Sequence, residues 1–254
     1  MEKNLPALAN EQEILLLASK DIGLKIFSFL LAKGYKVNQC LVGSKEDSKL
    51  ITLANDEGIP VEVCCNDIQK KMVSKGKRFK WLLNIWSPHI LSQSFLSLAD
   101  HRLNVHPALV PKCRGNDCAA WTIRNNYKPG VSLLEMDSGV DSGNVYVQNE
   151  IPPIVGECGL DLHLRLLLAA EELFKKSWEN IYRGKIKPSE QKGKVTTYTR
   201  KQTNNDRQRE GFEKMTLSEF CSWALAHNFS PKSTAEVSAH GKRFSLEIKI
   251  KEIS

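Results

Sequence analysis

The sequence predicts an α/β protein, a doubly wound and mostly parallel sheet followed by a small α+β appendage. Three observations carry this expectation. Over the first half of the chain, short apolar runs alternate with amphipathic segments, the order in which parallel βαβ units read. Glycines such as Gly34 and Gly58 stand where amphipathic segments must stop. After a long helical pattern ending near Ile181, the composition turns polar and basic and closes on a paired-strand signal, which places a domain boundary between residues 1–183 and 184–254.

Glu13–Ala18 reads as the first strand. Asp21–Lys33 follows as a helix, with Ile22, Ile26, Phe29 and Leu30 on one side and Gly34 as its stop. Val37–Val42 is a second strand, Ser44–Glu57 a helix ending at Gly58, and Val61–Cys64 a third strand. A helix over Asn66–Val73 leads through the basic turn Ser74–Lys77 to a strand at Trp81–Ile85. Ile90–Leu98 reads as a helix, Arg102–Val105 as a short strand and Ala119–Asn125 as a helix. Val131–Met136 and Val145–Ile151 are strands around a Gly/Ser/Asp loop, and Asp161–Ile181 is a long helix with Leu162, Leu166, Ala169, Leu173 and Trp178 along one face. Beyond it come a polar stretch containing Gly193, a helix over Leu217–His227, and strands at Ala235–Ser238 and Phe244–Ile250 joined by a turn at His240–Lys242.

Composition removes several classes. Hydrophobic residues make up 41% of the 254 residues and charged residues 26%, ordinary usage that speaks against disorder or a fibrous architecture. The most apolar stretches, Ile14–Ala18, Ile26–Ala32 and Leu162–Ala170, are too short to cross a bilayer, and the acidic, Asn-containing start has no secretory pattern. A cytoplasmic protein with no membrane partner is expected. The seven cysteines form no CxxC pair and no zinc spacing with histidine, so reduced thiols and no metal are expected. Cys113 and Cys118 flank a loop of interest, but a thiol nucleophile needs an adjacent base and a lowered pKa, which the sequence does not display.

The formal charge is +7, which suits an anionic partner. Residues 183–214 hold ten Lys or Arg against four acids, so most of the excess lies in this late segment, which reads equally as a solvated connection or a phosphate-binding stretch. The first βα turn, Ala18-Ser-Lys-Asp-Ile-Gly23, has neither a GxGxxG nor a Walker sequence, so nothing there supports NAD or ATP.

The most informative stretch is Leu103-Asn-Val-His-Pro-Ala-Leu-Val-Pro-Lys-Cys-Arg-Gly115. Positions two apart in a strand share a face, so Asn104 and His106 project together, and Pro107 ends the strand with His106 at its carboxyl edge. That edge is where open α/β sheets bind ligands. Further on, Met136-Asp-Ser-Gly-Val-Asp-Ser-Gly143 is a tight loop whose Asp141 could reach a histidine. An amide donor, an imidazole and a carboxylate suit attack of a neutral amine on a carbonyl: Asn104 donates to the oxygen that becomes negative, His106 moves the amine proton, and Asp141 orients the histidine.

These two motifs resemble those of the folate-dependent formyltransferase family, which includes glycinamide ribonucleotide, methionyl-tRNA and nucleotide-sugar formyltransferases. Asn-Val-His-Pro-Ala-Leu-Val-Pro-Lys-Cys-Arg-Gly is similar to its Asn-x-His-Pro-(Ser)-Leu-Leu-Pro-x-x-Arg-Gly signature, and Asp-Ser-Gly-Val-Asp-Ser-Gly to its Asp-x-Gly-x-Asp-x-Gly loop. The resemblance runs from about Glu13 to Ile181 and implies a Rossmann-like core. It also implies that Asn104, His106 and Asp141 are catalytic, that 10-formyltetrahydrofolate is the co-substrate, and that no metal is needed. Trp86, His89, Ile90 and Leu91, with Ser138, Gly139 and Val140, would surround the pterin. Two positions depart: Ala108 stands where the family usually has Ser, and Trp86-Ser-Pro-His lacks the glycine common there.

The resemblance also bears on the acceptor amine. Glycinamide ribonucleotide enzymes carry a glycine-rich phosphate loop where this chain has Ser19-Lys-Asp-Ile-Gly23. Methionyl-tRNA enzymes carry a longer, barrel-like C-terminal domain, so no nucleic acid partner is expected. Thr197-Tyr-Thr-Arg-Lys201 followed by Asp206 is similar to the Thr-Tyr-x-(Arg/Lys)-Arg segment of enzymes acting on nucleotide-linked amino sugars, although their next stretch is represented only by Trp223-Ala-Leu-Ala-His-Asn-Phe229. The expected acceptor is therefore a nucleotide-linked amino sugar. Arg114, Gly115, Tyr198, Arg200 and Lys201 are the candidate acceptor contacts, and a homodimer is compatible with the resemblance. A methionyl-tRNA or other small-amine formyltransferase, a hydrolase of the same folate and a non-catalytic basic binding module remain as alternatives.

Overall fold

A continuous apolar run from Ile14 to Ala18 can only be buried where both faces of a strand are covered, and all five residues are fully buried. They lie on an interior strand, paired on both sides, in the computed structural model, which describes residues 12–210, 212–239 and 241–250. The readings of the N-terminal start and of the turn at His240 lie outside the described residues. The chain divides into two compact units. One takes the described residues up to 105 together with 134–139, the other takes 106–133 with the described residues from 140 onward.

In the first unit, β1 (Gln12–Ala18) leads into α1 (Lys20–Ala32), which buries Ile22, Ile26, Phe27 and Leu30 and ends before Gly34 at φ +77. β2 (Val37–Val42), α2 (Ser48–Asp56), β3 (Val61–Val63), α3 (Asn66–Ser74) and β4 (Phe79–Ile85) follow, then α4 (Gln93–Leu96) and β5 (Ala99–His106). β1 pairs in parallel with β2 and β4, β2 with β3, and β4 with β5. The doubly wound, mostly parallel sheet is thus present.

Two helices are shorter than their patterns suggest, each for a polar reason. α2 begins at Ser48 because Asp47 is committed elsewhere: its carboxylate accepts from Ser19 Oγ (2.9 Å), the Lys20 N–H (2.8 Å) and the Ser44 N–H (3.1 Å). A carboxylate of the chain itself therefore occupies the N-terminus of α1, the place where dinucleotide-binding folds hold a phosphate. α4 begins at Gln93 because Gln69 pins the preceding residues, donating to Ile90 O (3.0 Å) and accepting from the Ser92 N–H (3.1 Å), while Ser92 Oγ caps the helix at Phe95.

The second unit contains β6 (Arg114–Gly115), α5 (Cys118–Arg124), β7 (Gly130–Glu135, whose last two residues fall in the first unit), β8 (Val145–Glu150) and the long α6 (Gly159–Tyr182). After these come β9 (Thr197–Tyr198), α7 (Arg200–Arg207), β10 (Gln208–Arg209), α8 (Leu217–Ala226), β11 (Ala235–Ala239) and β12 (Lys242–Leu246). In the first unit the strands run in the order β3-β2-β1-β4-β5; in the second a three-stranded sheet has the order β10-β11-β12, and β6 pairs with β9. The antiparallel β11–β12 pair matches the hairpin pattern, and Trp223, Ala224, Ala235 and Val237 form a small core with Phe212, Met215, Phe220, Leu246 and Ile248 around them.

α7 was not anticipated. Its eight residues, Arg-Lys-Gln-Thr-Asn-Asn-Asp-Arg, include no apolar side chain, and only Thr203 is buried. A capping box makes the helix: Thr199 Oγ1 accepts from the Gln202 N–H (3.2 Å) and Gln202 Oε1 from the Thr199 N–H (2.8 Å). Asp206 then ties it down. Its carboxylate takes His227 Nε2 (2.8 Å), Arg124 Nε (3.2 Å) and Arg209, and its carbonyl accepts from Trp223 Nε1 (2.6 Å). Burial pushes this carboxyl up, but the His227 hydrogen bond and the charges of Arg124 and Arg209 outweigh it and hold the pKa at about 2. A depressed carboxyl stabilises the fold above its ordinary pKa and loses that contribution as pH falls from about 4 towards about 2. Asp206→Asn should cost about 1–2 kcal/mol at neutral pH after allowance for solvent screening. Thermal unfolding should show the gap to wild type narrowing below pH 4, and an equal gap at pH 3 and pH 7 would contradict this account.

Candidate active site

In the first unit, β4 and β5 run parallel with Asn84 opposite Asn104. Asn84 Nδ2 donates to Asn104 Oδ1 (3.0 Å), which fixes the Asn104 amide with its NH2 group turned away from Asn84. Past the end of β4, Trp86 adopts φ +66, the left-handed region that glycine prefers, so a non-glycine residue holds a strained backbone at this position. His89 Nε2 bonds Gly43 O (2.9 Å), Leu91 packs with Met136 against the core, and Ile90 is 90% exposed. Gly139 donates its N–H to Asp137 Oδ1 (2.9 Å), and Ser138, Gly139 and Val140 are exposed.

The second unit brings His106 and Asp141 together. His106 is buried, with Nδ1 3.4 Å from Asp141 Oδ2 and Nε2 2.8 Å from Cys113 O. A carbonyl only accepts, so Nε2 carries a proton and Nδ1 is the nitrogen that faces the carboxylate. Asp141 Oδ2 also accepts the Gly115 N–H (2.8 Å). Asp141 itself sits at φ +47, as do Cys113 at +54 and Asp117 at +58, so three non-glycine residues around the histidine hold left-handed conformations. Cys118 Sγ lies 3.5 Å from His106 Nε2 and donates to Cys113 O (3.2 Å); burial pushes its thiol well above its ordinary value, which keeps it a thiol rather than a thiolate. Ala108 is buried, and its carbonyl accepts from Ser132 Oγ (2.5 Å), so the hydroxyl beside this position comes from another strand.

The candidate acceptor residues gather on β6, β9 and the start of α7. Arg114 and Gly115 pair in register with Thr197 and Tyr198. Arg114 donates through Nε (3.1 Å) and Nη2 (2.8 Å) to Gln191 Oε1. One face of Tyr198 is covered by Trp121, stacked at 4.1 Å between ring centroids, and its hydroxyl meets Asn125 Nδ2 (3.2 Å) and the Tyr127 hydroxyl (3.3 Å). Burial, with Tyr127 beside it, pushes the phenol up. Arg200 is ion-paired with Asp117, and Lys201 is exposed. Sequence reasoning missed Gln191, Trp121 and Asp117: the first lies in a charge-rich stretch without periodicity, and the others lie at the start of a short apolar helix. Among the described residues, no group of three or more His, Cys, Asp or Glu is placed to hold a metal ion, and no helix is long and apolar enough to cross a membrane.

The family model for formyl transferases matches residues 23–176, more than half of the chain. The chain belongs to the formyl transferase family. The methionyl-tRNA formyltransferase of Caldanaerobacter subterraneus is 31% identical over 111 residues, 43% of this chain and 36% of that protein. That of Dictyoglomus turgidum is 29% identical over 177 residues, 68% of this chain and 49% of its own length. The matches thus span between a third and a half of these relatives. A sugar N-formyltransferase from Shewanella superposes with a TM-score of 0.81 over 96% of this chain and 100% of its own, at 14% identity. An N-formyltransferase from Helicobacter canadensis, solved with folinic acid and dTDP-3-aminofucose, gives 0.72 over 90% and 84% at 21% identity. At such identities the likeness establishes the shared fold.

Gly115 offers a direct test of this formyl transferase's loop geometry. It stands at φ +89, and a Cβ there would lie 2.2 Å from the backbone oxygen of Tyr198. Backbone cannot yield as a side chain can, so Gly115→Ala should lower stability by about 1–3 kcal/mol. A melting temperature equal to wild type would show that the β6–β9 contact is looser than described.

Proposed function

We propose that this protein transfers the formyl group of 10-formyltetrahydrofolate to the primary amine of a nucleotide-linked amino sugar. The observation that carries the reading is the buried His106 imidazole with Nδ1 facing Asp141, in a chain of the formyl transferase family. Residues Trp86–Leu91 and Ser138–Val140 are assigned to the pterin. Asn104, two positions before His106 on β5, donates its side-chain N–H to the formyl oxygen as that oxygen gains negative charge. His106 takes the proton of the attacking amine, and Asp141, beside its Nδ1, balances the imidazolium that forms. The same proton passes to the folate nitrogen as its bond to the formyl carbon breaks, while the new bond joins that carbon to the sugar amine. Atoms and charge balance without a metal or a covalent enzyme intermediate.

The acceptor assignment is supported by the tail: Tyr198 held rigid on Trp121, with Arg200 and Lys201 at the start of α7, suits a pyrophosphate-linked sugar. The sequence relatives favour a second acceptor, methionyl-tRNA. Incubation with 10-formyltetrahydrofolate and either a panel of nucleotide-linked amino sugars or methionyl-tRNA, read by mass spectrometry for one added formyl group, separates the two. Labelling of the tRNA alone would reject the sugar.

His106→Ala should fold normally and lose turnover by about 10²–10⁴-fold, and Asn104→Ala by about 10²–10³-fold. Near-normal turnover in His106→Ala would falsify the mechanism. Replacing Arg200 and Lys201 together by Ala should raise the KM for the acceptor and leave folate affinity unchanged; the reverse pattern, weakened folate and an unaltered acceptor, would dismiss the division of labour.

A further inference from the structure

Gln191 stands in the basic stretch that the catalytic reading does not use, yet all four hydrogen-bonding capacities of its amide are satisfied at the site. Nε2 donates to Asp141 O (2.8 Å) and Gly143 O (2.7 Å), and Oε1 accepts from Arg114 Nε (3.1 Å) and Nη2 (2.8 Å). The two carbonyls are those of Asp141 itself and of Gly143 two residues on, and Arg114 immediately precedes the Gly115 whose N–H holds the Asp141 carboxylate at 2.8 Å. One side chain therefore ties both supports of that carboxylate to each other. Its own place is set by backbone: Val145 and Ser189 exchange N–H···O bonds of 2.7 and 2.9 Å, two residues beyond Gly143 on one side and two before Gln191 on the other.

Asp141 holds a left-handed conformation at φ +47, which a non-glycine residue keeps only where its surroundings enforce it. Its own carbonyl is one of the two that Gln191 grips. We infer that Gln191 is a positioning residue for formyl transfer, acting through Asp141 to keep the carboxylate against His106 Nδ1 without touching either substrate. The inference rests on the catalytic reading of Asp141. It makes a chemical distinction between two ends of the amide: the donors hold the loop, and the acceptor holds Arg114. A carboxylate at this position keeps the acceptor end and loses both donors, so Gln191→Glu leaves the Arg114 contact and releases the loop, whereas Gln191→Leu removes both.

In steady-state assays of the full chain, both Gln191→Glu and Gln191→Leu should lose about 10–100-fold in kcat, the scale expected when a catalytic group shifts by an ångström or less. In Gln191→Glu, which keeps the Arg114 contact, KM for folate and for the acceptor should stay within about threefold, since uniform binding is not removed. Placed on an Asp141→Asn background, Gln191→Glu should change kcat by less than about twofold, because residues acting as a unit are not additive. Should Gln191→Leu fail to fold, Gln191→Glu carries the test alone. Wild-type kcat in Gln191→Glu, or an equal loss in both backgrounds, overturns the inference. If His106→Ala and Asp141→Asn are inactive while Gln191→Glu is fully active, this inference alone fails; if Asp141→Asn is fully active, the catalytic reading fails first and takes the inference with it.

Discussion

A single N–H···O bond, from the backbone of Gly115 to the carboxylate of Asp141, is the constraint around which the loops of the second unit are arranged. It needs Gly115 at a positive φ, with its backbone pressed against Tyr198, and that approach exists because β6 and β9 pair in register. It also needs Asp141 turned into a left-handed conformation so that its carboxylate points back towards the histidine. Conformations of this kind cost about 1–3 kcal/mol each and persist only where neighbours over-determine them. Here the neighbours include the Gly115 N–H, the Gln191 amide and the His106 imidazole.

Polar commitments of this sort are the least readable part of a sequence. The strand and helix pattern of the core was legible because burial follows a period: Val37–Val42 has the bounds expected of it, and the paired motifs around His106 and Asp141 stood out without any structure. The errors lie where a single side chain reaches across sequence. Ser44 to Asp47 reads as the first turn of a helix, yet Asp47 is drawn 27 residues back to the Lys20 N–H. Residues 90 to 92 read as helix, yet they lie outside it, with Gln69 bonding Ile90 O and the Ser92 N–H from more than twenty positions away. Gln191 reaches 50 residues back to Asp141. None of these bonds leaves a periodic trace. Only the capping-box pattern at Thr199 and Gln202 offered a local signal, and the absence of apolar residues behind it hid the helix it begins.

Asp47 also explains in physical terms what the missing glycine motif only suggested. A helix N-terminus presents unpaired N–H groups and a partial positive charge, and something must satisfy them. In this chain an internal carboxylate, that of Asp47, accepts the Lys20 N–H and also the Ser19 hydroxyl. The turn is closed from within, and a phosphate arriving there would meet a charge of its own sign.

The composition of α7 has a further consequence. A helix with no apolar side chain contributes nothing to the core by its own sequence, and it is anchored chiefly at Thr199, Thr203 and Asp206. Lys201, exposed on its outer side, can change without leaving a cavity or stranding a buried group, whereas Arg200 is the ion-pair partner of the largely buried Asp117. The helix is held by a few polar anchors and not by burial of its own side chains, so the residues it turns outward are largely uncoupled from the packing beneath.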